Sequence, residues 1–361
     1  MDKDIRMLDY VDGFAVHKDV HSVLIHDSDT SLVPLVSIMI PTYRRPDLLR
    51  ESVESALAQT SLQPFEVVVI DNDNDPEMSA RVDQVIASFD APNLRLFRNE
   101  ANIGMFGNWN RCIELARGYW LTILNDDDLL DPFFLTESLK IVSKNDLISL
   151  VGCKVKTLDE RNNKNPATVL GAIRLSAKYI LGKLCSQKPH ELKVSDYFLS
   201  NQHHGCLGVL MKRSVALTLG GFFPGHYPSS DYIFLVKFAM SNVVYFLPRA
   251  LASCRIGVNE SLNPELCVDW MQQGLKLREE LMPHLNANLR LLYYYSRLCA
   301  INSAYSYRDL WNSSFDVCKA LADDGVVSRS AWHTFIMLLI SRSVLHINFA
   351  IQTKGGASTG S

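Results

Sequence analysis

The chain has 361 residues, of which 47% are hydrophobic and 21% are charged, a globular composition with enough residues for a large α/β domain with an appendage or for two domains. Its 36 lysines and arginines face 39 aspartates and glutamates, which gives a net charge of −3. This balance argues against a dedicated nucleic-acid-binding protein, which usually has a basic excess, and against disorder as the dominant state.

Apolar runs and helical periodicity alternate from residue 35 onward. The pattern predicts strands at 35–40, 65–70, 94–97, 119–124 and 147–155, and helices at 46–57, 78–89, 106–116 and 132–142. Such alternation is typical of βαβ units around a largely parallel sheet. Residues 1–33 show no clear period, and we interpret them as an extension or a loosely packed arm.

The second half of the chain is less regular. It predicts strands at 206–211, 243–247 and 250–254, and helices at 232–240, 265–281, 285–305, 307–322 and 330–351, with 170–184 also compatible with a helix. The C-terminal third is therefore expected to be α-helical. The last residues, 353–361, are rich in glycine and serine and are expected to be a flexible tail.

The cysteines and the N-terminus indicate the compartment. The eight cysteines form no C-x-x-C pair and lie mostly among apolar residues, which indicates buried thiols in a reducing compartment. The first residues are acidic where a signal peptide is basic. The most apolar stretch, 335–351, is interrupted by Arg342, His346 and Asn348 and falls short of the ~18 residues of a membrane span. A cytoplasmic protein is expected.

Three predicted strands end in polar clusters, at residues 41–45, 71–75 and 125–128. Because parallel strands end at the same edge of a sheet, where ligands bind, we expect these clusters to lie close together. Three consecutive carboxylates, Asp126 to Asp128, repel one another, and Mg²⁺ or Mn²⁺ would relieve that repulsion. The alternative is an acidic helix N-terminus capped by Asp131, which accounts poorly for carboxylates that abut a buried strand.

The other two clusters leave alternatives open. Thr42 and Tyr43 form either a surface turn or a platform where the Tyr43 ring stacks on a nucleobase. Asp71 is either a turn former or an acceptor for a base N–H or a ribose hydroxyl. The chain lacks a P-loop, an H-E-x-x-H motif and a G-x-G-x-x-G motif after the first strand, which disfavours P-loop enzymes, zincins and dinucleotide-binding domains. A nucleotidyltransferase would also need a glycine-rich loop after the first strand, and 41–46 has no glycine.

The chain resembles the family 2 glycosyltransferases, which have the GT-A fold, an α/β Rossmann-like architecture. The resemblance rests on several short segments in this order: VSIMIPTYRR (36–45), FEVVVIDN (65–72), NIG (102–104), GNWN (107–110), ARGY (116–119), LNDDDLLDP (124–132), GGF (220–222), SD (230–231) and CR (254–255). Their joint order and spacing from about residue 35 to 262 are specific, although each segment alone is not.

The resemblance implies inverting transfer of a sugar from a nucleoside diphosphate sugar. Asp126 and Asp128 match the family's D-x-D metal site, which binds Mn²⁺ or Mg²⁺ and the diphosphate, and Asp127 would face the ribose or the sugar. The remaining donor-binding residues implied by the match are Pro41, Thr42, Tyr43, Arg45, Asp71, Asn102 and Asn110. Asn72 and Asp73 depart from the common pattern, so the base could be uracil or thymine.

The acceptor half of the domain contains the predicted catalytic base. Asp231 matches the second residue of the family's Glu-Asp pair, and the preceding glutamate is replaced by Ser230. An inverting displacement needs one carboxylate to accept the proton of the attacking hydroxyl. Asp231 as a helix cap is the alternative. Arg255 is predicted either to bind the diphosphate or to form a structural ion pair.

The resemblance also predicts the domains and partners. We expect an N-terminal extension (1–33), a GT-A domain (34–262) with a donor half (34–157) and an acceptor half (158–262), a helical region (263–352) and a tail (353–361). The acceptor would be a glycan or a lipid-linked sugar of lipopolysaccharide, O-antigen or capsule synthesis. Residues 332–351 predict either an interfacial helix on the cytoplasmic membrane or a helix packed on the domain or on a second subunit of a homodimer. The alternative function is a non-catalytic nucleotide-sugar-binding subunit.

Overall fold

The computed structural model describes residues 6–27, 33–159, 188–256, 263, 266–286 and 293. Strands β1 to β10 are Ser22–His26, Val36–Thr42, Phe65–Asp71, Leu94–Asn99, Trp120–Ile123, Leu129–Leu130, Ile148–Asp159, His190–Leu192, Val209–Lys212 and Val243–Ile256. Helices α1 to α8 are Pro46–Leu57, Pro76–Ala87, Gly104–Leu115, Phe134–Val142, Val194–Leu199, Arg213–Thr218, Ser230–Ser241 and Leu266–Leu281. Short 3-10 helices occupy Phe14–His17, Pro224–His226 and Met282–His284.

The described strands form one mixed sheet in the order β1-β4-β3-β2-β5-β9-β7-β10-β6, and β8 pairs with β10. Strands β4, β3, β2 and β5 are parallel neighbours. Strands β1, β9 and β6 are paired antiparallel to their neighbours. The predicted parallel centre of the sheet is thus confirmed, and the carboxyl ends of β2, β3 and β5 lie at one edge.

The core lies around β2 and β3, and every residue of β2 is buried. Ile38 and Val67 of these strands share a hydrophobic core with Leu49 and Val53 of α1 and Ile86 of α2. The continuous apolar runs in the sequence are explained by this burial, because a strand covered on both faces has no polar side. Among the described cysteines, four are buried and form no disulfide, as predicted: Cys112, Cys153, Cys206 and Cys254.

The N-terminal arm is more ordered than the sequence predicts. Strand β1 extends the sheet by pairing with β4, and Ser22 Oγ donates a 2.6 Å hydrogen bond to Asn99 Oδ1. The amide of Gly13 donates to the carbonyl of Gly220 at 2.8 Å. The arm shows no period because its strand is short and largely exposed, so burial leaves no alternating pattern in the sequence.

Two predicted boundaries in the acceptor half shift. The strand expected at 206–211 begins only at Val209, because Gly205 and Gly208 adopt left-handed φ angles of +60° and +69°. The two strands expected at 243–247 and 250–254 are one strand, β10. Its length matters for the site, since its last residues reach the acidic loop after β5.

The chain divides into two compact units. The first comprises Met1–Leu158, Glu191–Lys193 and Asn201–Arg255, and the second comprises Asp159–His190, Val194–Ser200 and Ile256–Ser361. In the second unit α5 packs against α8, and Nη2 of the buried Arg278 donates to the carbonyl of Leu199 at 3.3 Å. Apart from residues 285, 286 and 293, the helices predicted at 170–184 and beyond residue 284 lie outside the described residues.

Candidate active site

The three polar clusters meet at the carboxyl edge of the sheet, as predicted. The Thr42 hydroxyl donates a 2.8 Å hydrogen bond to Asp126 Oδ2, and the amide of Tyr43 donates to the same oxygen at 3.3 Å. The amide of Asn72 donates to the carbonyl of Thr42 at 2.9 Å. The loops after β2, β3 and β5 therefore form one continuous surface, although they are separated by tens of residues in the chain.

The carboxylates of the acidic loop are buried, with side-chain environments that oppose their charge. Burial raises the pKa of Asp126 to about 6, in spite of the neighbouring Arg45. Burial and the adjacent charge of Asp127 raise the pKa of Asp128 to about 7. Burial also raises the pKa of Asp127 above its ordinary value. A carboxylate with a raised pKa is ionised near neutral pH at a cost in stability, which a bound cation would remove.

The cationic side chains around this loop are distributed unevenly. Arg45 Nη1 lies 3.0 Å from Asp127 Oδ2 and 3.5 Å from Asp126 Oδ1. Asp128 forms no ion pair among the described residues, and its carboxylate accepts hydrogen bonds from Asn125 Nδ2 at 2.9 Å and from the amide of Arg255 at 3.0 Å. Asp128 is therefore the carboxylate of this loop with the greatest need of a cation.

Arg255 forms the structural ion pair that is one of its two predicted roles. Its side chain is buried, its Nε donates to the carbonyl of Asp127 at 3.2 Å, and its Nη2 lies 2.6 Å from Glu51 Oε2. Together with its amide bond to Asp128, these contacts hold the acidic loop between β10 and α1. The guanidinium positions the carboxylates and is engaged by Glu51, which favours the structural role, and a contact with the diphosphate stays a prediction.

Asp71 and Tyr43 flank the loop after β3. Asp71 accepts from Arg98 Nε at 2.9 Å and from the amide of Asp73 at 3.1 Å, and burial raises its pKa in spite of Arg98. The Tyr43 ring is 39% exposed, and the Arg44 guanidinium carbon lies 5.1 Å from its centre. Exposed aromatic surface beside a buried acceptor is what recognition of a planar base requires.

Asn72 and Asp73, which depart from the common family pattern, both form side-chain contacts in the structure. Asn72 Oδ1 accepts from Asn99 Nδ2 at 2.9 Å and from the amide of Ile103 at 3.1 Å, and its Nδ2 donates to Asn102 Oδ1 at 2.9 Å. Asp73 pairs with Arg44, whose φ of 57° is left-handed. The organising role of Asn72 was not predicted, although several asparagines that follow predicted strands or begin helices gave a signal.

Asn110 uses its side-chain amide to hold the GGF segment. Its Nδ2 donates to the carbonyl of Phe222 at 2.7 Å, and its Oδ1 accepts from the amide of Phe222 at 2.7 Å. Both polar ends of a buried side chain are thus used on one backbone residue. Asn110 thus joins α3 to the GGF segment, and its contact with the donor stays a prediction. Asn102 is exposed, and its Oδ1 accepts a hydrogen bond from Asn72 in the loop after β3.

Asp231 lies in the first turn of α7, as predicted. It is the second residue of that helix and is not its N-cap, and its Oδ1 accepts from the amide of Tyr232 at 2.7 Å. No described lysine, arginine or histidine forms an ion pair with it, and burial raises its pKa to about 6. A Cβ atom at Gly205 would lie 3.1 Å from Asp231 Oδ2, so the 203–208 turn also borders this carboxylate. A partly exposed carboxylate with this pKa can accept a proton at neutral pH.

Comparison with known proteins identifies the domain. The sequence model described as Glycosyl transferase family 2 matches residues 37–202. The chain carries a family 2 glycosyltransferase domain. The polar loops at residues 41–45, 71–75 and 125–128 all lie inside it.

Relatives and one solved structure agree with this glycosyltransferase domain. The uncharacterized glycosyltransferase MJ1057 of Methanocaldococcus jannaschii is 32% identical over 133 residues, which are 36% of this chain and 44% of that protein. The O-antigen biosynthesis protein RfbC of Myxococcus xanthus is 35% identical over 125 residues, 34% of this chain and 9% of that protein. The chain thus spans less than half the length of these two relatives.

The solved structure is the mannosyltransferase PcManGT of Pyrobaculum calidifontis, in complex with GDP-Man and Mn²⁺. It superposes with a TM-score of 0.51 at 17% identity and covers 90% of each chain. This likeness shows the fold alone, and it agrees with the GT-A architecture of the glycosyltransferase domain. Within the described residues, no helix is long and apolar enough to cross a membrane.

Proposed function

We propose that this chain is a metal-dependent inverting glycosyltransferase. It would move a sugar from a nucleoside diphosphate sugar to a hydroxyl of a glycan or lipid-linked acceptor. The observation that carries the proposal is the buried acidic loop 126–128, which lies against the end of β2 beside the exposed Tyr43 ring. One of its carboxylates, Asp128, has no cationic partner within the described part of the chain. Asp231, in the first turn of α7, is a second acidic site suited to proton transfer.

The donor site is assigned to residues at the carboxyl edge. Tyr43 would stack on the base, and Asp71, held by Arg98, would accept a base N–H or a ribose hydroxyl. Pro41 and Thr42, at the end of β2, would lie beneath the nucleotide, and Asn102 would border the nucleobase beside the loop after β3. Asp127 would face the ribose or the sugar. Arg45, which here faces Asp126 and Asp127, would contact the diphosphate once a metal neutralises their charge.

The residues present fit a divalent metal ion. The loop offers hard carboxylate oxygens in a buried setting that raises their pKa, and the described residues contain no arrangement of three or more His, Cys, Asp or Glu side chains that would form a complete metal site. Mg²⁺ usually takes only one or two protein carboxylates and completes its shell with substrate phosphates and water, so Asp126 and Asp128 would suffice. When bound, the ion would supply charge stabilisation for the departing diphosphate.

The chemistry follows from the separation of the two acidic sites. The acceptor hydroxyl oxygen forms a bond to the anomeric carbon, while the bond from that carbon to the diphosphate oxygen breaks with its electron pair. Asp231 accepts the hydroxyl proton as the oxygen attacks. Because attack and departure take place on opposite faces of the sugar, the anomeric configuration inverts.

One relative and one solved structure bear on the acceptor, the donor and the metal of this reaction. RfbC belongs by name to O-antigen biosynthesis, which supports surface-glycan assembly, of the lipopolysaccharide or capsule kind. PcManGT was solved with GDP-Man and Mn²⁺, which supports a nucleotide-sugar donor and a metal and adds guanine to the uracil and thymine considered from the sequence.

A melting panel tests the proposal. The full chain would be heated with UDP, dTDP, GDP and CDP, each with and without Mn²⁺. We expect one nucleotide to raise the melting temperature only when Mn²⁺ is present, because a ligand at ~100 times its Kd adds ~2.7 kcal/mol of stability. No shift with any of the four nucleotides in the presence of Mn²⁺ would contradict the proposed donor site.

A further inference from the structure

Tyr227 is an exposed aromatic residue close in sequence to Asp231, the proposed catalytic base. Its ring is 41% exposed, and it lies four residues before Asp231 in the segment that enters α7. A tight turn fixes this segment, with the amide of Ser229 donating to the carbonyl of His226 at 2.8 Å. The turn therefore holds Tyr227 at the entry to α7, in the segment that leads to Asp231.

A buried aromatic cluster supports the Tyr227 ring from below. The centre of the Tyr227 ring lies 6.3 Å from the centre of the Phe106 ring, in an edge-on arrangement. Phe106 in turn packs edge-on against Trp109, with ring centres 5.5 Å apart, and stacks on Phe222 at 6.1 Å. Such support fixes the orientation of an exposed ring, so that little conformational entropy is lost when a ligand covers it.

The same contact places Tyr227 near the donor loops. Phe106 lies in the first turn of α3, two residues after Gly104, whose carbonyl accepts from Asn72 Nδ2 at 3.3 Å. Asn72 directly follows Asp71, which is proposed to accept a hydrogen bond from the nucleobase or the ribose. Tyr227 thus bridges the entry to α7, which carries Asp231, and the first turn of α3, which borders the donor site.

We propose that Tyr227 is an acceptor-binding residue that stacks on a pyranose ring. This assignment rests on the proposed glycosyltransferase function. The axial C–H bonds on one face of a pyranose carry partial positive charge, which matches the electron-rich face of an aromatic ring. A flat, supported ring next to a proton acceptor would orient a sugar so that one hydroxyl points to Asp231. The ligand class is therefore a hexopyranoside at the acceptor terminus.

Saturation-transfer NMR on the full chain tests this proposal. The probes are methyl α- and β-pyranosides of glucose, galactose, mannose, N-acetylglucosamine and rhamnose, recorded alone and with Mg²⁺ and each of the four nucleoside diphosphates. Mg²⁺ replaces Mn²⁺ because it is diamagnetic. We expect at least one glycoside to receive saturation on the C–H protons of one face. The signal should fall about five-fold or more in Tyr227→Ala and should persist in Tyr227→Phe, which keeps the ring.

Tyr119→Ala is the matched control, because Tyr119 is also exposed, at 55%, but precedes β5 at the opposite end of the parallel strands. It should leave the glycoside signal unchanged. Equal signals in the wild type and Tyr227→Ala, or no glycoside signal in the wild type, would overturn the proposal. A metal-dependent melting shift with a nucleotide in the same samples would show that the donor site survives, which separates failure of this inference from failure of the proposed function.

Discussion

Replacing Asp231 by asparagine is expected to lower the rate of sugar transfer by about three orders of magnitude, since a positioned general base contributes roughly 10²–10⁴-fold. Asparagine preserves the size of the side chain and can still accept from the amide of Tyr232, so helix α7 should form normally. Nucleotide binding should be unaffected, because Asp231 lies outside the donor loops. The measurement is nucleotide release from the donor under saturating Mg²⁺, together with the melting shift of the variant.

The pH dependence of the wild-type enzyme tests the same residue. Asp231 acts as a base only when ionised, and burial raises its pKa to about 6, so turnover should fall as the pH drops through 6 and reach a plateau above 7. Protonation of Asp128, with a pKa of about 7 in the unliganded protein, would weaken metal binding instead. Saturating Mg²⁺ removes that second contribution, so kcat reports Asp231.

A variant that keeps turnover within about ten-fold of the wild type would show that Asp231 is not the base. A wild-type protein that binds nucleotide with metal but releases none from any donor would favour the alternative function, a nucleotide-sugar-binding subunit.

Replacing Asp128 by asparagine is expected to have two opposite effects. The metal-dependent melting shift with nucleotide should disappear, because a proposed metal ligand is lost. The unliganded protein should melt several degrees higher at pH 8. In the wild type the raised pKa of about 7 means that the folded state holds a proton that the unfolded state releases near pH 4. Stability from this group is present below pH 4 and is lost as the pH rises through 7, on the order of 4 kcal/mol.

The control for Asp128→Asn is Asp131→Asn. Asp131 begins the turn into α4, where its carboxylate accepts from the amide of Phe133 at 3.1 Å, a role that asparagine also fills. This variant should keep both the metal-dependent shift and the wild-type melting temperature. If Asp128→Asn were less stable than the wild type at pH 8 and still bound nucleotide with Mn²⁺, Asp128 would be a structural residue of the loop.

The carboxyl-edge site could be predicted because its elements carry local signals. Strands β2, β3 and β5 are apolar runs that end abruptly in polar residues, and parallel pairing brings such ends together whatever the intervening helices. The hydrogen bond from Thr42 to Asp126 spans 84 positions and still follows from this topology. The position of Asp231 near the start of a helix was likewise visible from the apolar period that follows it.

Contacts chosen among many equivalent partners could not be predicted. Asn110 is 112 positions from Phe222, and nothing in the sequence distinguishes that backbone from others as its partner. The pairing of Arg255 with Glu51 of α1, at 2.6 Å, has likewise no local signal in the sequence. The pairing of β1 with β4 depends on a largely exposed edge strand, where burial imposes no pattern.

The stereochemistry of the first product tests the central claim most directly. Hydrolysis of UDP-α-glucose, UDP-α-galactose, UDP-α-N-acetylglucosamine, dTDP-α-glucose and GDP-α-mannose would be followed by proton NMR with Mg²⁺, water serving as the acceptor. We predict that the first sugar released carries the β configuration, before mutarotation, and that release requires Mg²⁺ and is lost in Asp231→Asn. Release of the α sugar, or release that is independent of metal and of Asp231, would contradict a metal-dependent inverting transfer.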